Sequence, residues 1–593
     1  MYINRVQIKN FRNFAALDVT LSQNTVLVGE NRIGKSNLIF ALRLVLDIAL
    51  PDSVRQLKLT DIWDGCLLSE SPEIRVDLDF AEFDNDPGLT ALLTDYRLAT
   101  DHTLARLTYV FQKKGEVTGA PTSEADYEFK IYGGDDPARG VRPETRRRIS
   151  MEVLHALRDA EGDLGSWRSS PLRPLLDDAV GRVPTTELDA ISADIAAATT
   201  KLGALEPIAM LETNIRTHIA DLAGTAQDIK AKFGFAPTDA VRLFRSIGVY
   251  IDDGKRGIAD ASLGSANLAL LALRLVEFAW RKQKNERNFT LACIEEPEAH
   301  LHPHLQRKVF HKLFTTPTEE PRSLFLTTHS ASIASVSPLR SLVLLKGMPD
   351  AGTKGYSLAR LPLSADELDD LQRYIGGNRA DILFSRGVAF VEGDAEETLL
   401  PIFAQSCGHD LDDLGIAVCN VGGVNFAPYV KLATALDLPM VVITDWDPVA
   451  GASPLGQKRA IDLLDAILEV RGQPLLQQAT RAMLEADDNQ LRDTVARVGI
   501  FLNQSTLETQ ISATPTVSTA MLSVLEEEDF GAVRRARLAS WKANTTPINA
   551  EQLLAMIADI GKGRFAGRLA AKAVGLPPPT YIANAITQLV ANV

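Results

Sequence analysis

Cysteine is scarce in this chain. The four present, Cys66, Cys293, Cys407 and Cys419, show no CxxC spacing across 593 residues. That pattern excludes a disulfide framework and a zinc ribbon, and makes a reducing, cytoplasmic setting the default expectation. Long apolar runs are missing too. The most apolar stretches, Leu38–Leu50 and Leu268–Trp280, are broken by Arg43 and Asp47 and by Arg274 and Glu277, so neither is expected to cross a membrane. Asn4, Arg5, Gln7 and Lys9 interrupt any leader-like segment at the start. Positive charge is in deficit, with a net −14. A uniformly basic coat is thereby ruled out, and polyanion recognition is left to local patches. The candidates are Arg146–Arg148, Arg281–Lys284, Arg534–Arg537 and Lys562–Lys572, each of which also fits a solvated helix face.

What is present is ordinary globular composition, 46% apolar and 23% charged without low-complexity tracts, at a length suited to roughly three or four domains. Tyr2–Lys9 alternates like a strand, and Val19–Val28 reads as two short strands. Gly29-Glu30-Asn31-Arg32-Ile33-Gly34-Lys35-Ser36 follows, and a helix is expected from Ser36 to Ile48. The strand–loop–helix context is what a phosphate cradle requires, because backbone N–H groups and a helix N-terminus face the phosphate oxygens. Gly29, Asn31, Gly34, Lys35, Ser36 and Asn37 are the nucleotide-site candidates. Lys35 would reach the outer phosphates, and the Ser36 hydroxyl would ligate magnesium.

Downstream, the buried-type strand Leu291–Ile294 ends in Glu295-Glu296-Pro297-Glu298. Glu295 can hold the nucleotide's metal ion, and Glu296 can orient or deprotonate a water. Ser323–Leu326 is a further strand, ending in Thr327-Thr328-His329-Ser330. Upstream, after a turn at Asp252-Asp253-Gly254, Ser262-Leu263-Gly264-Ser265 opens a helix. His300, His302 and His304 lack a fourth zinc ligand at convincing spacing.

These elements in this order resemble the ABC-type ATPase head of the SMC and DNA-repair families. The resemblance implies a signature motif at Ser262–Ser265 with Ser262 and Gly264 on nucleotide, a D-loop at Ala299–His302 and a switch histidine at His329. It also implies head-to-head dimers in which the Ser262 helix caps ATP held by a second copy. Leu263 stands where many transporters have glycine, and Glu295 where aspartate is commoner, so slow hydrolysis is expected. Arg142–Asp159 reads as continuing ATPase core. From Ser166 to Phe244 the pattern turns to Ala-, Leu- and Ile-rich helices, Thr186–Leu205 and, after Pro207, Ile208–Phe233. They read as an oligomerisation insert, with simple core packing as the alternative.

A second site lies further on. The apolar strand Gly387–Val391 ends at Glu392, and Glu396 falls in the first turn of the helix that runs to Cys407. Strand Ile416–Val421 and helix Phe426–Leu436 come next, then strand Met440–Ile443, Thr444 and Asp445-Trp446-Asp447. Parallel strands would bring Glu392 and the aspartates to one sheet edge. Strand alternation aims both aspartates the same way, as two ligands of one hard cation require. Surface carboxylates at loop ends are the bland alternative.

A glutamate ending one strand and DxD ending another resembles the Toprim fold of topoisomerases, primases and some nucleases. No separate tyrosine-bearing cleavage domain or zinc module is evident, which sets aside the first two. Toprim joined to an N-terminal ABC ATPase resembles the OLD (overcoming lysogenization defect) family, which includes the nuclease subunit of the Gabija antiphage system. That resemblance implies metal ligation by Glu392, Glu396, Asp445 and Asp447, and it nominates Glu508 from Phe501–Glu508 and Lys562 from Gly561–Arg564. It further implies ATP, two Mg²⁺ or Mn²⁺ ions at the Toprim site and one with ATP, and two-metal hydrolysis of DNA. The implied partners are DNA, a homodimer or higher oligomer, and in some relatives a UvrD-like helicase, with no membrane association.

The expected fold is therefore α/β: an ABC-type ATPase head with a helical dimerisation insert, followed by a Toprim domain with helical additions. The expected bounds are 1–165 and 245–375 for the head, 166–244 for the insert and 380–593 for the Toprim region. The leading functional expectation is a nucleotide-regulated DNA endonuclease or nickase in phage defence or DNA processing. The alternatives are a non-cleaving ATP-dependent DNA clamp and, further off, a topoisomerase or primase component.

Overall fold

The computed structural model describes residues 1–155, 170–223, 262–284, 286–315, 322–348 and 350–593, with 244, 247, 249–251 and 255–258 between them. Contacts divide the chain into two units: 1–153 with 291–298 and 302–593, and 154–290 with 299–301.

The first unit holds two sheets. Strands β1 (Tyr2–Phe11), β2 (Phe14–Thr20), β3 (Thr25–Gly29), β4 (Ile74–Ala81), β5 (Ala105–Lys113), β6 (Tyr127–Gly133) and β7 (Ile149–Leu154) come from the N-terminal part. After the two-residue strands β8 (Tyr250–Ile251) and β9 (Arg256–Gly257) of the other unit come β10 (Phe289–Glu295), β11 (Arg322–Thr327), β12 (Leu342–Met348) and β13 (Gly352–Ser357). These form an 11-stranded sheet in the order β6-β5-β4-β1-β2-β13-β12-β3-β11-β10-β7. β3 is buried along its whole length and runs parallel to both β11 and β12. A fully buried parallel strand reads as a continuous apolar run rather than an alternating one, which is why Thr25–Val28 was recognisable. β2 instead starts at Phe14, five residues before the expected Val19. Phe14, Leu17 and Val19 alternate inward along it, and its antiparallel register with β1 is set by Phe11↔Phe14.

The second sheet is all parallel: β14 (Gly387–Val391), β15 (Ile416–Asn420), β16 (Met440–Thr444) and β17 (Ile500–Leu502), in the order β15-β14-β16-β17. The chain leaves β14 to one side and returns on the other. This creates a switch point beyond the carboxyl ends of β14 and β16, where α/β sheets bind ligands. Buried side chains from the helices Asp394–Ser406, Pro515–Glu526, Ala532–Lys542 and Lys562–Ala573, including Phe403, Met521, Trp541 and Leu569, cover this sheet. The two sheets meet where Lys346 donates to the Asp437 carbonyl (2.7 Å) and the Tyr356 hydroxyl donates to the Asp437 carboxylate (2.8 Å). A cavity of about 810 Å³ opens there, lined by Gly29, Glu30, Lys346, Arg386 and Arg497 among others.

The second unit includes the helices Leu172–Gly181, Thr185–Gly203, Glu206–Ala223 and Leu263–Gln283. Pro207 does not precede a helix, as expected. It sits in the first turn of one, where the missing N–H has no partner to lose. The expected continuation of that helix to Phe233, the turn at Asp252–Gly254, and the 156–159 end of the expected core segment lie outside the described residues. The helix Thr185–Gly203 buries none of its residues, and Ile191, Leu202, Met210, Leu211 and Ile215 are exposed on it and on Glu206–Ala223, with Leu205 exposed in the turn between. The helix Leu263–Gln283 is long and apolar enough to cross a membrane by length and composition. Glu277 on it is nonetheless buried and paired with Arg274 (2.8 Å) and Arg281 (2.7 Å), which favours packing in protein over lipid.

Candidate functional site

The phosphate loop follows β3, whose last residue is Gly29. Gly34 has φ +103°, a region costly to side-chain-bearing residues, and a Cβ there would lie 2.1 Å from the Asn13 amide. The helix Lys35–Leu46 begins immediately after. Asn13 donates to the Ile33 carbonyl (2.8 Å) and accepts from Asn37 (2.6 Å), so Asn37 braces the loop from its helix side. Arg12 donates to Asn37 (2.8 Å) and stacks over Phe40 (4.6 Å). Lys35 is 6% exposed; its ammonium donates to the carbonyls of Gly29 (2.8 Å) and Glu30 (2.9 Å) and lies 3.4 Å from His329 Nδ1. Burial pulls its pKa down to about 8, against the opposing pull of Glu296 and Glu298.

Around that lysine stand the expected acids and histidine. Glu295 closes β10. The Glu296 carboxylate is 3.3 Å from His329 Nε2, and its backbone N–H donates to the Thr327 carbonyl (2.9 Å). Glu298 fixes the Thr327–Ser330 segment by accepting from the His329 N–H (2.6 Å) and the Thr328 hydroxyl (2.9 Å). In the second unit, the Ser262 hydroxyl caps its helix by accepting from the Ser265 N–H (3.2 Å). Gly264 is needed for close approach, because a Cβ there would lie 2.4 Å from the His300 carbonyl oxygen.

The Toprim-type site is built at the switch point of the parallel sheet. Glu392, just past β14, accepts from the Thr444 hydroxyl and from the Asp445 N–H (2.8 Å). Asp445 accepts from the Asn503 amide, whose oxygen in turn receives the Trp446 N–H (3.0 Å). Arg492 stacks on Trp446 (4.1 Å) and donates to the carbonyls of Leu502 and Asn503 (2.7 Å each), holding β17 against the DxD segment. Glu508 is 3% exposed, and its Oε1 lies 2.9 Å from Lys562, whose side chain is 62% exposed. Glu508 Oε2 is buried without a hydrogen-bond partner.

The electrostatics follow from crowding acids in a dry site. Burial pushes Glu396 up to about 7, with added repulsion from Glu508 and Glu392. Asp445 is pushed up to about 8, by burial first and then by Glu392. Burial pulls Lys562 down, but its contact with Glu508 and the nearby acids outweigh this, leaving it raised. Among the described residues, no group of three His, Cys, Asp or Glu side chains is disposed to hold one ion by itself. The acids are engaged instead by side-chain cations at two ends, Lys562 on Glu508 and Arg459 on Glu392 and Asp447. Oxygen-only donors, carboxylates driven towards protonation and an orphaned buried carboxylate oxygen suit a hard divalent cation.

The matching families agree with this division. The model of the "Overcoming lysogenization defect protein-like, TOPRIM domain" matches residues 383–447. An "AAA domain" model, whose description also names an AbiEii toxin of a Type IV TA system, matches 25–335. The chain carries an AAA-type ATPase domain and an OLD-like Toprim domain. It is similar to the OLD nuclease of Thermus scotoductus, 25% identical over 75% of this chain and 82% of that protein. It is also similar to the endonuclease GajA of Bacillus cereus, 22% identical over 78% of each. Among solved structures, the C-terminal region of the Burkholderia pseudomallei OLD protein is 40% identical, covering 35% of this chain and 97% of that one, with a TM-score of 0.30. An ATPase domain and an OLD-like Toprim domain thus share one chain, and its relatives are named as nucleases.

Sequence reasoning missed several residues of this Toprim-type site. Thr444, Arg459 and Asn503 bind the acids directly. Tyr581 turns its hydroxyl toward Asn503 near Asp445, Glu396 and Glu508, and burial keeps it firmly protonated. Asn503 lies within the Phe501–Glu508 motif and Thr444 directly before the Asp445–Asp447 pair, so both could have been nominated by position, whereas Arg459 and Tyr581 lie in no motif. The basic patch at Arg534–Arg537 is compensated locally, with Arg534 on Asp559 and Arg535 on Asp529, and Lys572 likewise meets Glu527.

Proposed function

We propose that this chain is a divalent-metal-dependent DNA endonuclease or nickase regulated by nucleotide at its ATPase head. The observation that carries the reading is the gathering of Glu392, Glu396, Asp445, Asp447 and Glu508, with Lys562, at one edge of a parallel sheet. Relatives named as nucleases support it. In this reading the five acids hold two Mg²⁺ or Mn²⁺ ions, which when bound supply an activated water and stabilise the leaving oxygen of a phosphodiester. Lys562 reaches from the solvent side of Glu508 and offsets charge on the phosphate under attack. Thr444, Asn503 and the Asp445 N–H fix the carboxylate orientations before substrate arrives.

At the head, Gly29, Asn31, Gly34, Lys35, Ser36 and Asn37 hold ATP phosphates, and Ser36 and Glu295 hold the accompanying ion. Glu296, aligned by His329, orients a water for slow hydrolysis. Ser262 and Gly264 cap the nucleotide of a second copy, so a homodimer or higher oligomer is the working form. The apolar side chains exposed on Thr185–Gly203 and Glu206–Ala223 support an insert, about 166–244, that joins copies. Head segments 1–165 and 245–375 and a Toprim region 380–593 complete the division. Phage defence and a UvrD-like helicase partner are the parts that rest on family alone, and a cytoplasmic setting rests on the cysteine pattern.

The test is incubation of the purified protein with supercoiled plasmid and Mg²⁺ or Mn²⁺, with and without ATP. Nicking or linearisation that is lost in Glu392→Ala is expected; undiminished cleavage by that variant would overturn the reading. DNA binding without cleavage under any condition would favour the clamp.

A further inference from the structure

Arg459 is the one charged group of the acid cluster that no motif announced, and its placement is unusually determined. It sits on the helix Leu455–Val470, whose first turn is pinned against the DxD segment. The Leu455 N–H donates to the Asp447 carbonyl (3.1 Å) and the Gly456 N–H to the Trp446 carbonyl (3.0 Å). A Cβ at Gly456 would lie 2.4 Å from the Asp445 carbonyl oxygen, so only glycine permits this approach. One turn later the Arg459 side chain, 10% exposed, forks across the site. Its Nη1 donates to Glu392 (2.9 Å), to the Thr444 hydroxyl and to the Asp445 carbonyl (3.1 Å), while Nη2 donates to Asp447 (2.9 Å).

We propose that Arg459 is a positioning residue that sets cation affinity at the Glu392–Asp447 end of the site, because its guanidinium occupies the charge of two acids that a metal ion there must share. The inference rests on the metal-dependent nuclease reading above. A planar fork matched to two carboxylates holds them in a fixed relative orientation, as a point charge on a flexible stem does not. The same fork competes with any divalent ion that needs both oxygens. The opposite end differs: the buried Glu508 pairs with the exposed Lys562, and the Asp445 carboxylate accepts from the neutral Asn503 amide, Arg459 reaching Asp445 through its backbone carbonyl alone among the described residues. The site is therefore asymmetric, because a cation at the Glu392–Asp447 end must compete with Arg459. A weaker position at the Glu392–Asp447 end fills when a substrate phosphate contributes ligands of its own.

The experiment is a Mn²⁺ titration of the full-length protein without DNA, read by electron paramagnetic resonance of free ion and by calorimetry. It uses wild type, Arg459→Gln, Arg459→Lys and Glu392→Ala, each checked for folding by circular dichroism. Wild type is expected to bind one ion tightly and a second weakly. Arg459→Gln should tighten the second by about tenfold, as removal of a competing buried charge implies, and Arg459→Lys should fall between. Second-ion binding that is unchanged or weaker in a folded Arg459→Gln would overturn the proposal. If Glu392→Ala instead kept both ions and full plasmid cleavage, the nuclease reading itself would fail, whatever Arg459 does.

Discussion

The phosphate loop and the acid cluster stand at the ends of parallel strands in two sheets of one unit, and they are electrostatic opposites. In the first, a lysine is buried on carbonyl oxygens and its pKa falls to about 8. In the second, carboxylates are buried beside one another, and two of them rise to about 7 and about 8. One site buries a cation and the other a cluster of anions. Each is poised for a ligand of opposite sign, and burial is what makes the ligand's charge count. The difference teaches that a single chain can run nucleotide and metal chemistry side by side by choosing which charge to bury.

The sharpest way to break that contrast is to empty one site and read the other. Asp445→Asn should cut metal-dependent cleavage by roughly a thousandfold, since ion binding and orientation fail together, while ATP affinity measured by filter binding stays within twofold of wild type. Lys562→Ala should lower the cleavage rate by roughly a hundredfold, the scale for one lost transition-state charge contact, with little change in Mn²⁺ affinity. An equal loss in both would mean that Lys562 organises the acids rather than meeting the phosphate. Lys35→Ala should weaken ATP binding by roughly ten- to a hundredfold, the loss of a charge-assisted phosphate contact. It should leave basal metal-dependent cleavage in place and remove its response to nucleotide.

The smallest effect concerns pH. Glu396 and Asp445 have folded pKa values raised above their ordinary 4.5 and 3.8, so the folded state binds the extra protons. Stability that is present below the ordinary carboxylate range is lost as pH rises through the folded values, near 7 to 8. Metal ions need the charged carboxylates, so their stabilisation grows over the same window. Melting followed by scanning fluorimetry should show the chelator-treated protein falling by a few degrees from pH 6 to pH 9, with a widening gain from Mn²⁺. Glu396→Gln should flatten that dependence.

The parts of this comparison that were legible in the sequence are the contiguous ones. A phosphate loop needs its glycines, lysine and serine within eight residues, and a DxD pair needs two residues at strand spacing, so local order alone exposes them. The parallel strands β3, β14 and β16 were readable for a related reason, being short apolar runs with a functional residue at the end. What holds the acids was not readable. Arg459 reaches Glu392 across 67 positions, and Asn503 reaches Asp445 across 58; only the fold brings them together, and neither residue type is rare. The partners of the basic patches were equally hidden. Arg534 and Arg535 look free in sequence, but meet Asp559 and Asp529 in space.

The most direct measurement takes Glu392→Ala and Lys35→Ala through the same two assays, ATP binding and Mg²⁺- or Mn²⁺-dependent plasmid cleavage. Glu392→Ala is expected to bind ATP normally and cut nothing, and Lys35→Ala to cut but ignore ATP. Full cleavage by Glu392→Ala, or an ATP response that survives Lys35→Ala, would contradict the division of labour between the two sites.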